Sequence, residues 1–134
     1  MLRRVGSAGN WFELMFRPGG TYDIIINTLE TRSIDIEPLT LFHLAKLNPE
    51  AYSRLWLLVA EGKASLFLTA YSHPIIPLLV SESFVDAKIN VQWGVHYVLA
   101  NPCYPQGAPV FFWLSECAYS AKAAEAILKA IREV

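Results

Sequence analysis

The stretch that decides the fold is V-F-F-W-L-S-E-C-A-Y-S, residues 110–120. Its first five residues are apolar and lead directly into Ser115 and Glu116. A continuous apolar run of this length predicts a strand buried on both faces, as in parallel sheets. Glu116 would then lie at the carboxyl edge of the sheet, where parallel α/β folds hold their reactive side chains. Glu116 is therefore the first candidate for a catalytic residue.

Two earlier segments also predict strands, at residues 32–36 and 64–69. Residues 1–20 predict mostly loop. Helical patterns cover residues 21–30, 39–47, 48–62, 83–100 and 120–133. This alternation predicts parallel βα units with right-handed crossovers, and hence an α/β fold. Three parallel strands have two open edges and more apolar surface than these helices cover, which predicts an arc of a barrel or of a larger sheet.

The length of 134 residues suits one domain, residues 1–134, and the net charge of −1 disfavours a nucleic-acid partner. Apolar residues make up 54% of the chain and charged residues 17%, against about 45–50% and about 25% in ordinary globular domains. No continuous apolar run approaches the roughly 18 residues of a membrane span, so no membrane partner is predicted. The apolar excess predicts burial against a second copy of the chain or against a missing part of a larger protein.

The cysteines and histidines predict neither a disulfide framework nor a metal site. Cys103 and Cys117 are not in a CxxC pattern, and reduced thiols predict a cytoplasmic protein. The three histidines, His43, His73 and His96, are too scattered in the sequence to indicate metal ligands. No cofactor is predicted.

A second candidate segment, L-T-A-Y-S-H-P-I-I-P-L-L at residues 68–79, leaves the end of the second predicted strand. Consecutive parallel strands usually lie near one another, so His73 and Glu116 are expected to face one cleft. Sugars offer apolar faces to aromatic rings and hydroxyl groups to imidazole and carboxylate. The combination therefore indicates a carbohydrate site, with aromatic candidates Tyr71, Trp113 and Tyr119.

Four motifs resemble the N-terminal catalytic domain of glycoside hydrolase family 57. Y-S-H-P-I-I-P-L at 71–78 and F-F-W-L-S-E at 111–116 are similar to the motifs YNH-x-I-x-P-L and G-x-W-L-P-E of an uncharacterised branch of that family. A-K-I-N-V-Q-W-G at 87–94 and N-P-E-A-Y at 48–52 are similar to two of its helices. The resemblance extends over residues 10–132.

The resemblance implies an incomplete (β/α)7-type barrel and retaining cleavage or transfer of α-glucosidic bonds. By position, Glu116 would be the nucleophile that forms a glycosyl-enzyme intermediate. His73 would hold a sugar hydroxyl, and Trp113 would shape the floor of the cleft. Tyr71 and Tyr119 are further expected substrate contacts.

Two departures predict that this chain is incomplete for catalysis alone. The HQP motif of the family does not occur, and the family's acid/base aspartate follows the WLxE segment, whereas none of the 18 residues after Glu116 is Asp. A retaining glycosidase needs two carboxyl groups about 5–5.5 Å apart. Loss of general acid catalysis costs about 10²–10⁴-fold in rate. Asp35 and Glu37 are the alternatives within the chain, which is expected to be a fragment or a shortened relative of the family.

Each candidate also has a structural alternative. Glu116 could be an acid that favours the dipole of the helix beginning near Ser120, worth about 0.3–1 kcal/mol. His73 could be a loop histidine bonded to a backbone carbonyl. Trp56 and Trp93 lie at helical spacing and predict core positions. For the whole chain, the alternative function is a non-catalytic α/β module that assembles through its apolar surface.

Overall fold

The computed structural model describes residues 8–29 and 32–134, which form a mixed α/β fold that is mostly helical. In chain order the elements are α1 Ala8–Phe16, α2 Thr21–Asn27, β1 Arg32–Ile34, α3 Pro38–Leu47, α4 Pro49–Ala60, β2 Ala64–Leu66, α5 Ile76–Glu82, α6 Phe84–Leu99 and α7 Ala121–Arg132. The predicted α/β class is confirmed. The two-stranded parallel sheet of β1 and β2 is shorter than the predicted strands.

The parallel pairing places Ile34 opposite Leu66, and the Ile34 carbonyl also accepts a hydrogen bond from the Phe67 amide at 3.0 Å. The third predicted strand contributes one parallel bridge, between Leu68 and Phe112. The three segments therefore run in the same direction, and consecutive segments lie side by side. All three carboxyl ends reach the same edge of the sheet.

The prediction that residues 110–114 form a strand buried on both faces is wrong. Phe111 is 61% exposed and Trp113 is 41% exposed. The reason is that the described helices cover one face of the sheet. Side chains alternate between the two faces of a strand, so every second residue here is left uncovered.

The covered face contains the core. Leu66 and Leu68 are buried there, and α6 packs against α5 and α7 beside them. Residues with no exposed surface include Ile26, Leu41, Leu44, Leu55, Val91, Val95 and Val98. The opposite face, here called the open face, carries Ser33, Ser65, Phe67, Phe111 and Trp113. On it, the Phe67 ring lies 6.2 Å from that of Phe111 and 6.0 Å from that of Trp113.

Gly94 is the point at which α6 contacts the segment after β2. A Cβ atom at this position would lie 2.1 Å from the Thr69 carbonyl oxygen and 2.8 Å from the Tyr71 nitrogen. Only a glycine allows the helix and this backbone to approach so closely. The close approach fixes the chain just before His73.

The predicted helix starts are confirmed at Asn48, Ser83 and Ser120. Each side chain accepts a hydrogen bond from the backbone three residues later, at 3.1, 3.2 and 3.1 Å, as N-cap residues do. Gly62 follows α4 in a left-handed conformation, with φ of +69°, which is the usual glycine stop.

Two local predictions are wrong and one is incomplete. Residues 8–16 form α1 rather than loop. Trp93 is 62% exposed, whereas Trp56 is buried as predicted. The apolar neighbours of Trp93 along α6 face the core, while its own position on the helix turns outward. The predicted helices do not include the seven-residue α5, in which Pro77 lies in the first turn, where a proline is tolerated.

Candidate active site

His73 and Glu116 lie side by side at the carboxyl edge of the sheet. The Nε2 atom of His73 is 3.5 Å from Oε1 of Glu116. The imidazole is 36% exposed and the carboxylate 67% exposed, so both groups are open to a ligand. The two residues therefore meet at one edge of the sheet, as the parallel strands predicted, while their catalytic and binding roles remain predictions.

Both residues have left-handed backbone conformations. The φ angles are +56° at His73, +55° at Glu116 and +53° at Cys117, and no other non-glycine residue in ranges 8–29 and 32–134 has positive φ. Such a conformation costs an L-residue about 1–2 kcal/mol. Strain of this kind persists where the surrounding structure holds it, and it clusters at functional sites.

The loop that carries His73 is held between two helices. The Tyr71 amide donates to the Asn90 carbonyl of α6 at 3.0 Å, and the Tyr71 carbonyl accepts from the Leu39 amide of α3 at 3.0 Å. The Asn90 side chain also donates to the Ser72 hydroxyl at 3.0 Å. These bonds explain how the chain tolerates a strained conformation at His73.

Glu116 is held in a short 3-10 turn, Ser115–Cys117, that directly follows the third parallel segment. The Cys117 amide donates to the Leu114 carbonyl at 2.9 Å, and the Ala118 amide donates to the Ser115 carbonyl at 3.1 Å. Helix α7 begins at Ala121, so Glu116 lies outside its first turn. The interpretation of Glu116 as an acid favouring the helix dipole is therefore not supported, because that effect is confined to the first turn.

Unpaired polar atoms collect at the same edge. Four buried side-chain atoms there have no hydrogen-bond partner among the described residues: Asp35 Oδ1, Thr69 Oγ1, His73 Nδ1 and Ser115 Oγ. The alternative interpretation of His73 was a hydrogen bond from its ring to a backbone carbonyl. Nδ1 of His73 makes no such bond among the described residues. Buried polar atoms are normally paired, and exceptions call for a functional explanation.

Asp35 directly follows β1 and is half-buried at this edge. Burial raises the pKa of its carboxyl above the ordinary value. The nearby imidazole of His73 opposes this shift, while the charge of Glu37 adds to it. A half-buried carboxyl with a raised pKa at a sheet edge is one candidate for an acid role in an enzyme site.

The three aromatic candidates differ in their surroundings. Trp113 packs against Phe67 and, with Cys117, lines a shallow depression of about 220 Å³. Tyr71 is half-buried and meets the exposed indole of Trp93 edge-to-face, with ring centroids 6.1 Å apart. Tyr119 is 69% exposed. Their roles as substrate contacts remain predictions.

A separate cavity of about 360 Å³ lies near the start of β2, away from the His73–Glu116 pair. Its walls include Val59, Ser65, Phe67, Tyr104 and Phe111, and no charged side chain lines it. In the described part of the chain, no group of three or more His, Cys, Asp or Glu side chains is placed to hold a metal ion.

The sequence predicts Trp93 in the core, whereas it is exposed near the site, and it names Asp35 only as an alternative acid. For Asp35, the available signal was its position directly after the first strand, because the carboxyl ends of parallel strands meet at one edge. For Trp93, helical periodicity pointed to the core, and no local signal indicated exposure.

The chain belongs to glycoside hydrolase family 57. The model of this family, described as Glycosyl hydrolase family 57, matches residues 10–133. The chain is also similar to a crystal structure described as a novel exo-type maltose-forming amylase from Pyrococcus sp. ST04, with 24% sequence identity and a TM-score of 0.66. That similarity covers 90% of this chain and 18% of the amylase chain. No curated protein sequence matches this chain.

The family assignment confirms the resemblance of this chain to glycoside hydrolase family 57. The structural similarity shows that the fold is shared as well, because it covers 90% of this chain and part of the amylase. The chain spans about one fifth of the length of that amylase. No helix of the described residues is long and apolar enough to cross a membrane.

Proposed function

We propose that this chain forms part of a retaining glycoside hydrolase or glucanotransferase site for α-glucans, with Glu116 as the nucleophile. The observation that carries the proposal is the 3.5 Å contact between His73 and Glu116, both held in strained left-handed conformations at one sheet edge. Membership of family 57 and the fold shared with a maltose-forming amylase support the choice of glucan.

In this proposal the Oε1 or Oε2 atom of Glu116 attacks the anomeric carbon, and the bond to the leaving oxygen breaks. His73 binds a sugar hydroxyl beside that carbon through Nε2. Trp113 offers an apolar face to a sugar ring, and Tyr71 and Tyr119 lie on the two segments that carry His73 and Glu116. The leaving oxygen requires a proton from a second carboxyl group.

We further propose that the described fold is an arc of the family's barrel, completed by a further part of the protein or by a second copy. The open face supports this, since Phe111 and Trp113 are exposed at positions that would point into a barrel interior. The completing part would supply the acid. The two free cysteines, Cys103 and Cys117, favour a reducing compartment such as the cytoplasm.

The decisive experiment uses a substrate that needs no general acid. With an α-maltosyl fluoride, attack by Glu116 breaks the carbon–fluorine bond and fluoride leaves with the electron pair. We expect mass spectrometry of the chain to find a glycosyl adduct on the peptide that contains Glu116. The variant Glu116→Gln should form no adduct.

Glu50→Gln is the matched control, because it makes the same chemical change at an exposed residue of α4. It should form the adduct as the wild type does. An adduct that persists in Glu116→Gln, or is absent from the wild type, contradicts the assigned nucleophile. Binding is measured separately by titrating maltooligosaccharides against tryptophan fluorescence, where His73→Ala should weaken affinity about tenfold through loss of a polar contact.

A second candidate function is a non-catalytic module that assembles through apolar surface. The exposed rings of Phe111 and Trp93, at 61% and 62%, favour it. Size-exclusion chromatography tests this candidate, because an assembling module elutes as an oligomer and a monomer contradicts it. If the chain is such a module, Glu116→Gln should leave assembly and every other measured property unchanged.

A further inference from the structure

Trp93 and Tyr71 form an exposed pair of rings, here called the aromatic corner, beside the loop that carries His73. The Trp93 indole is 62% exposed, and the half-buried Tyr71 ring meets it edge-to-face with centroids 6.1 Å apart. Tyr71 lies two residues before His73, so their Cα atoms are at most about 7 Å apart. The aromatic corner therefore adjoins the candidate site and is not a remote surface.

The backbone holds the two rings of the aromatic corner in this arrangement. The Tyr71 amide donates to the carbonyl of Asn90, which lies about one turn before Trp93 on α6, at 3.0 Å. The Asn90 side chain also donates to the Ser72 hydroxyl at 3.0 Å. Gly94, next to Trp93, fixes α6 against the backbone after β2 through its close approach. Binding of a ligand to the aromatic corner would therefore need little further ordering of the chain.

The surroundings of Trp93 favour an uncharged ligand. Residues three and four positions away along a helix share one face. For Trp93 they are Ile89, Asn90, His96 and Tyr97. None of these is Asp, Glu, Lys or Arg, and Lys88 is engaged by Glu133 of α7 at 2.8 Å. A phosphate or an acidic peptide would call for Arg or Lys, whereas a neutral sugar needs an aromatic face.

We propose that Trp93 and Tyr71 form a second sugar subsite, which binds a glucose unit of the same α-glucan whose neighbouring units lie at His73. The C–H bonds on one face of a glucose ring pack on the exposed indole, because an aromatic face is negative and these hydrogens are weakly positive. Tyr71 keeps the indole in place from its other side chain contact. The subsite adds affinity for long glucans and takes no part in bond cleavage. It rests on the proposed function in taking an α-glucan as its ligand.

The first test observes the aromatic corner directly. In ¹H–¹⁵N NMR spectra, millimolar maltohexaose should move the indole N–H signal of Trp93, which is identified by its loss in Trp93→Phe. The indole signal of Trp56, a buried residue, should stay in place as the internal reference. A Trp93 signal that does not move overturns the proposed subsite.

The second test measures affinity by calorimetry. Trp93→Ala should weaken maltohexaose binding about fivefold, and Trp93→Phe, which keeps an aromatic face, should stay within about twofold of the wild type. The loss should be smaller for maltose, because two glucose units span fewer subsites than six. Val85→Ala is the matched control, since it shortens another exposed apolar side chain of α6 and should change neither affinity. Wild-type affinity for maltohexaose in Trp93→Ala contradicts the subsite.

Failure of the subsite and failure of the proposed function give different results. An adduct on Glu116 without a response of the Trp93 signal means that only the subsite is wrong. A response of Trp93 without an adduct supports the subsite and contradicts the assigned nucleophile. If Trp93→Ala instead converts an oligomer into a monomer and maltohexaose leaves the Trp93 signal unmoved, the aromatic corner is an assembly surface and the subsite is wrong.

Discussion

The covered face and the carboxyl edge of the same short sheet differ in how well their buried groups are packed and paired. Behind the strands, Leu68 and Val95 are fully buried in an apolar core. At the edge, a few residues away, the backbone is left-handed at His73, Glu116 and Cys117. Four buried polar atoms there have no hydrogen-bond partner in the part of the chain that the structure describes. The difference indicates that the helix-covered side stabilises the fold, while the strained backbone and unpaired polar atoms of the edge lower its stability.

The largest effect is expected where these two regions meet. Gly94→Ala should destabilise the chain by about 4 kcal/mol or prevent folding, because the new Cβ would collide with backbone atoms at Thr69 and Ala70 that have little freedom to move. Denaturant unfolding measures the change. Gly107→Ala is the control, since its site has no heavy atom within 4 Å and only the strain of φ +73°, costing about 1 kcal/mol. Similar losses at both positions would refute the close packing at Gly94.

The next prediction compares the loss of stability on the two faces of the sheet. Leu68→Ala should cost about 3 kcal/mol, because it leaves a cavity in the core. Phe111→Ala should cost less than about 1 kcal/mol in the isolated chain, since most of that ring is exposed on the open face. A Phe111→Ala loss as large as that of Leu68→Ala would mean that something covers the open face in solution.

The smallest effect has the opposite sign. Cys117→Gly should raise the free energy of unfolding by about 0.5–1 kcal/mol, because glycine adopts the left-handed conformation without strain. The neighbouring Ala118→Gly, at φ of −79°, should lower it by a similar amount through added freedom of the unfolded chain. If Cys117→Gly and Ala118→Gly lower the free energy of unfolding by the same amount, the backbone at Cys117 is not strained.

Much of the fold follows from local patterns. The caps at Asn48, Ser83 and Ser120 depend on bonds within a single turn, and they lie where the sequence predicts them. The parallel order of the three segments follows from the helices between them. The prediction failed at the apolar run 110–114, because whether both faces of a strand are covered depends on partners that the run itself does not specify.

The candidate site was partly predictable from strand order and local motifs. Strand order brings His73 and Glu116 to one edge, and the motifs around them point to family 57. The burial of Asp35 and its unpaired Oδ1 were not predictable, because burial and unpaired atoms arise only when separate segments come together. The exposure of Trp93 likewise depends on how α6 is rotated against the segment after β2.

Short-range chemistry in the chain was enough to specify the starts of α4, α6 and α7, the α/β class and the two segments that carry His73 and Glu116. Packing alone settled the left-handed backbone at the edge, the enclosed nitrogen of His73 and the uncovered rings of Phe111 and Trp113. The physical reason is distance along the chain. Caps and helical periodicity act over a few residues, whereas burial and strain are set by groups that are far apart in sequence and become neighbours only in the folded molecule.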